Sequence, residues 1–126
     1  MPEEPEMETT LLHLARELDR RSIAYLHLND QRTFGESLIP ERLLIELRRA
    51  FSGAIIVCGG FDADRAKQAI DSGQADMVGF GTLFISNPDL PARLANGWPL
   101  TEPDQNTFYG GGAEGYTDYP FYPETG

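Results

Sequence analysis

In residues 54–81, AIIVCGGFDADRAKQAIDSGQADMVGFG, the hydrophobic period changes twice. AIIVC is a short run, apolar on both faces, as in a parallel strand covered on each side. It stops at Gly59-Gly60. Asp62 stands where a side chain caps a helix from about Ala63 to Ser72, and Gly73 supplies the left-handed residue that ends it. DMVGF is a second strand, closing at Gly81. Strand, helix and strand in this order make a right-handed βαβ unit with a parallel sheet.

Working toward the N-terminus, Pro40 suits the first turn of a helix to about Phe51. Leu43, Leu44, Leu47 and Ala50 form its apolar stripe, and Glu41, Arg42, Arg48 and Arg49 are read as wet. NDQRTFGES is a turn-rich loop, and IAYLHL (Ile23 to Leu28) before it reads as another strand apolar on both faces. Thr9 or Thr10 is placed to cap a first helix to about Arg21, with Leu11, Leu14, Ala15 and Leu18 on one face. The alternation gives an α/β class with two architectures open: a small three-layer sheet, or part of an eight-stranded (β/α) barrel, which three strands cannot close.

Toward the C-terminus, short helices are expected over Leu83 to Ser86 and Pro91 to Asn96. From Asn87 onward the chain holds six of its nine prolines and loses periodicity. Trp98, Phe108, Tyr109, Tyr116, Tyr119, Phe121 and Tyr122 are too many aromatics for a disordered tail, so this segment is read as ordered but irregular.

Ten Lys and Arg against twenty Asp and Glu leave a formal charge of −10. That balance opposes nucleic-acid phosphates and anionic membranes as partners. The single cysteine, Cys58, excludes an internal disulfide and suggests a cytoplasmic setting. No basic-then-apolar leader is present, nor any run of roughly 18 apolar residues.

Two glycine-bearing strand ends, CGGFDADRA and VGFGTLF, are the chemical signal. Ligands of parallel α/β proteins sit at the carboxyl edge of the strands, where glycines let backbone N–H groups approach a phosphate. Gly59, Gly60, Gly81 and Thr82 would be the donors, with Asp62 turned away as a cap. The plainer alternative is that the glycines serve only turns and packing. His13 and His27 lack ligand-spaced partners for a metal, and neither histidine has an evident route to Cys58, which reads as a small hydrophobe.

IIVCGGFDADRA, DMVGFGTLFISNPDLPARLANGWPL and TFYGGGAEGYTDYP together resemble the C-terminal part of the Old Yellow Enzyme family, FMN-dependent NADH:flavin oxidoreductases and N-ethylmaleimide reductases. LARELDRRSIAYLHL is similar to that family's helix five and strand six. The resemblance implies strands six to eight of a TIM (β/α)8 barrel: three parallel strands with helices, plus an irregular aromatic and glycine-rich tail. Residues 1–126 would form one partial barrel domain, with an acidic leader at 1–8 and the tail at 98–126.

It further implies an ene-reductase that uses FMN and NADH or NADPH on an activated alkene or nitro compound. Gly59, Gly60, Gly81 and Thr82 would hold the FMN phosphate, Tyr109 would contact the cofactor, and Phe108 and Tyr109 would line the substrate pocket. No catalytic residue is assigned, because the family's flavin-ring contacts, substrate-binding pair and proton-donating tyrosine lie on earlier strands. Where the family has Gly-Arg-Pro-Phe, this chain has Gly81-Thr82-Leu83-Phe84. Exchanging that arginine for a neutral donor removes roughly 1 to 2 kcal/mol of phosphate contact. Three strands also leave the former barrel interior uncovered, so the chain is expected to self-associate, to pair with a complementary barrel fragment, or to fold its aromatic tail over the exposed face. The alternative is an inactive truncated product serving as an oligomeric or phosphate-ligand-binding module.

Overall fold

The computed structural model describes residues 5–30 and 39–122. Its elements are α1 (Pro5–Arg20), β1 (Tyr25–Asn29), α2 (Glu41–Ala50), β2 (Ala54–Cys58), α3 (Ala63–Asp71), β3 (Met77–Gly79), α4 (Thr82–Ser86), α5 (Leu90–Asn96) and a 3-10 turn at Gln105–Thr107. They fall into two compact units, dividing between Gly79 and Phe80. Most of the loop read after β1 lies outside the described residues.

The first unit carries the α/β alternation. β1, β2 and β3 form a parallel sheet in that order, with Leu26 opposite Ile55 and Val57 opposite Val78. Because side chains alternate along a strand, Leu26, Leu28, Ile55, Val57 and Val78 point to one face. There they pack with Phe51, Ala69, Ala75 and Leu18. Leu43 and Leu47 of α2 meet Ala15 of α1 in an adjoining cluster that shares Leu26 and Leu28. All three helices thus bury their stripes against one side of the sheet.

The opposite face has a different character. Tyr25, His27 and Asn29 of β1 and Met77 of β3 are exposed, while Ala54, Ile56, Cys58 and Gly79 are half-buried. β1 starts at Tyr25 rather than Ile23, and its open face carries a tyrosine, a histidine and an asparagine. The expectation of a strand apolar on both faces therefore fails for β1. β3 is also shorter than DMVGF.

Local chemistry explains the other boundary shifts. α1 begins at Pro5, ahead of the expected threonine cap. A proline at the first helical position gives up no needed N–H, and Glu6 and Glu8 favour the helix's positive end. Thr10 lies inside the helix, its hydroxyl donating to the Glu6 carbonyl at 2.7 Å. Leu12 joins the packed face in place of Leu14, which is 49% exposed. The helix closes with Ile23 N–H donating to the Leu18 carbonyl at 3.2 Å while Ser22 takes a left-handed φ of 55°. Pro40 is the N-cap of α2, one place before the first turn. Arg48 is not wet: it donates to the Phe51 and Gly53 carbonyls and to the Asp76 carboxylate, joining α2 to the start of β3.

The second unit is organised by buried polar groups. Asn87 donates to the Leu83 and Thr101 carbonyls and accepts from the Thr101 amide at 2.8 Å. Arg93, 3% exposed, donates to Asp89 and to the carbonyls of Pro99 and Pro120. Asp89 in turn accepts from the Tyr122 amide, and Tyr122 stacks on Trp98 with centroids 4.6 Å apart. Within this unit, Pro120 and Tyr122 are tied to Arg93 and Asp89 at α5.

Candidate functional site

At the carboxyl edge of the sheet, Asp30 follows β1 and a glycine turn follows β2. Asp30 N–H donates to the Cys58 carbonyl at 2.9 Å, drawing the two strand ends together. Gly59 follows with φ 125°, and a Cβ there would drive into the Asp30 carbonyl. Only glycine combines that torsion with that approach. Gly60, also left-handed at φ 63°, is exposed, and its carbonyl accepts from Arg65 at 2.8 Å. The Arg65 guanidinium lies 4.6 Å over the Phe61 ring. Asp62 accepts the Arg65 amide at 2.8 Å as the cap of α3, which is the expected engagement. The Arg65 cation therefore stands beside the glycine turn, and so does the buried Asp30, whose Cβ approaches the Gly59 position.

Gly81 is the N-cap of α4, with no side-chain cap and nothing within 4 Å of where its Cβ would be. Thr82 opens the helix and is exposed. Phe108 and Tyr109 meet edge-on with centroids 6.4 Å apart, and Tyr109 is 94% exposed. Gly110 and Gly111 take φ values of 83° and 85° and turn the chain away. Of the expected site residues, Gly59 and Gly60 belong to the first unit and Gly81, Thr82, Phe108 and Tyr109 to the second.

One expectation is corrected. His27 does reach Cys58: its Nε2 lies 3.3 Å from the Cys58 sulfur, and the thiol also meets Asn29 Oδ1 at 3.3 Å. The cause is register, because Asn29 is opposite Cys58 and His27 is two residues back on the same face. The period-two spacing of His27 and Asn29 was the available signal, but the pairing of the strands was not. The Asp89–Arg93 pair also escaped the sequence reading, although its four-residue helical spacing marks it.

Three aspartates have carboxyls held below their ordinary range. For Asp76 the main cause is the Ile55 amide, helped by Arg48. For Asp19 it is the Ser52 hydroxyl and then the Ser52 amide. For Asp89, burial pushes upward, but the Tyr122 amide and Arg93 outweigh it. Each is engaged in holding elements together. Among the described residues no group of three or more His, Cys, Asp or Glu could hold a metal, and no helix is long and apolar enough to cross a membrane.

The NADH:flavin oxidoreductase / NADH oxidase family model matches residues 4–101. A 12-oxophytodienoate reductase-like protein from Solanum lycopersicum is 39% identical over 116 residues, covering 90% of this chain and 31% of its own. 12-oxophytodienoate reductase 2 from Arabidopsis thaliana is 36% identical over 117 residues, with the same coverage on each side. Among solved structures, morphinone reductase superposes with TM-score 0.87 at 48% identity, over 94% of this chain and 32% of that one. The old yellow enzyme from Trypanosoma cruzi does so with TM-score 0.80 at 35% identity, over 94% and 31%. The chain spans about a third of the length of these relatives.

Proposed function

Because the chain belongs to the NADH:flavin oxidoreductase / NADH oxidase family, with the old yellow enzymes among its structural relatives, we propose that it supplies strands six to eight and the FMN-phosphate side of an NAD(P)H-dependent ene-reductase. The observation that carries this reading is the continuous family match over residues 4–101, which runs through both glycine-bearing strand ends. In the whole enzyme FMN would relay hydride from a nicotinamide to an activated alkene or nitro compound.

The residues present suit the phosphate end of that cofactor. Gly59 and Gly60 present left-handed backbone at the end of β2, and Gly81 leaves open the space a side chain would fill. Peptide N–H groups can approach an anion closely at such positions. The carboxylate nearest in sequence, Asp62, is occupied as a cap. Gly59, Gly60, Gly81 and Thr82 would hold the phosphate through backbone amides, with the Thr82 hydroxyl as a further donor. Tyr109 would lie against the cofactor and Phe108 against the substrate. The exposure of Tyr109 in this chain fits a pocket whose other walls are supplied by earlier strands.

The uncovered face of the sheet supports the same reading, since Tyr25 (53% exposed) and Met77 (47%) lie where a barrel would have its interior. The chain would complete the site by pairing with a complementary barrel portion. The phosphate assignment is tested by comparing FMN with riboflavin, which lacks the phosphate, on the complemented protein. FMN should bind at least about tenfold more tightly, as expected for loss of one or more charge-assisted hydrogen bonds. A Gly81→Asp substitution should abolish that preference. Equal affinity for the two flavins would overturn the assignment.

A further inference from the structure

Arg65 is engaged twice beside the glycine turn that follows β2, and the phosphate contacts proposed above give it no role. We propose that Arg65 is a positioning residue: by holding the Gly60 carbonyl it turns the Gly60–Phe61 peptide so that the Phe61 N–H faces the anion, adding a phosphate donor. This rests on the FMN-phosphate reading and concerns the first unit alone.

One guanidinium reaches both sides of that peptide. Its Nη1 donates to the Gly60 carbonyl at 2.8 Å, and its central carbon lies 4.6 Å from the centroid of the Phe61 ring. A planar group with several donors can stack on a ring and still aim one N–H at an oxygen. The backbone of Arg65 is fixed in turn, because its amide donates to Asp62 Oδ1 at 2.8 Å. A cation in the first turn of a helix works against the helix dipole. The dipole therefore gives no reason for an arginine at the start of α3, whereas the bond to Gly60 does.

The direction of the peptide matters because a trans peptide points its C=O and N–H opposite ways. A carbonyl held against Arg65 sends the Phe61 N–H to the other side of the turn. Gly60 has a left-handed φ of 63° and no Cβ, so sterics alone do not settle which way the peptide faces. Turned over, it would present an oxygen to the phosphate and repel it. Among the described residues neither the Gly60 N–H nor the Phe61 N–H has an acceptor, which leaves both for a ligand.

The test has a flavin-free arm and a flavin arm. In the isotope-labelled chain without flavin, residual dipolar couplings report the direction of the Phe61 N–H. Arg65→Met should reorient it, and Arg65→Lys, which keeps a donor for the Gly60 carbonyl, should leave it close to wild type. In the complemented wild-type protein, FMN should move the Phe61 amide proton downfield and riboflavin should not. There Arg65→Met should weaken FMN roughly ten- to hundredfold, the loss of one hydrogen bond to a charged group, with riboflavin affinity unchanged and most of the FMN affinity kept in Arg65→Lys. An unaltered Phe61 N–H direction in folded Arg65→Met overturns the proposal, as does an equal loss of affinity for both flavins. The wild-type amide shift decides the matter even if the variant fails to fold. Equal binding of the two flavins by wild type sinks the phosphate reading and this inference with it, whereas a preference for FMN with an unmoved Phe61 amide sinks this inference alone.

Discussion

Gly59 and Ser22 show how differently two positions with left-handed backbone use it. At Gly59 the torsion coincides with close approach of the Asp30 carbonyl. Gly59→Ala should therefore destabilise the fold by at least about 2 kcal/mol, measured by urea unfolding. At Ser22 a side chain already occupies the left-handed C-terminal position of α1, so Ser22→Gly should raise stability by about 0.5 to 1 kcal/mol. The sequence marked Gly59 as special because it ends an apolar run. Ser22 carried no such mark, since serine is ordinary in any turn. The same limit applied to His27: its residue type was visible, but its neighbour Cys58, 31 positions away, became visible only with the strand register.

At the level of elements, the apolar periodicity of α2 and β2 was enough to place them, because Leu43, Leu47, Ile55 and Val57 all bury on one side. Leu43, fully buried between α1 and α2, should cost about 2 to 5 kcal/mol when replaced by alanine, again read from the unfolding free energy. The polar ties were less legible. Asp19 accepts from Ser52, Asp76 from Ile55 and Arg48, and Asp89 from Arg93 and Tyr122. Each joins segments that sequence pattern alone treats as separate. All three have folded-state values lowered from the ordinary 3.8. Their stabilisation is therefore complete above that value and is lost as pH falls through the lower folded values. The thermal midpoint should hold steady down to roughly pH 4 and then drop. Asp76→Asn should lower the midpoint at neutral pH and make the acid drop shallower; an unchanged acid profile would show that this carboxylate is not one of the ties.

For the whole molecule, the α/β class followed from element order, whereas the open sheet face had to be inferred from what three strands cannot do. Among the described residues of the first unit, α1, α2 and α3 pack on one side of the sheet, and the other side exposes Tyr25, His27, Asn29 and Met77. Such a face fits the proposed completion by further barrel strands, and the chain spans about a third of the length of its relatives. The candidate site divides similarly, with its glycine turns present and its ring-binding walls expected from elsewhere. The most direct measurement is an FMN titration of the chain alone and together with the N-terminal two thirds of a relative such as morphinone reductase, followed by flavin fluorescence. The account predicts weak or no binding by either piece alone and saturable one-to-one binding by the pair. Absence of binding by the pair, with both pieces folded and associated, would contradict it.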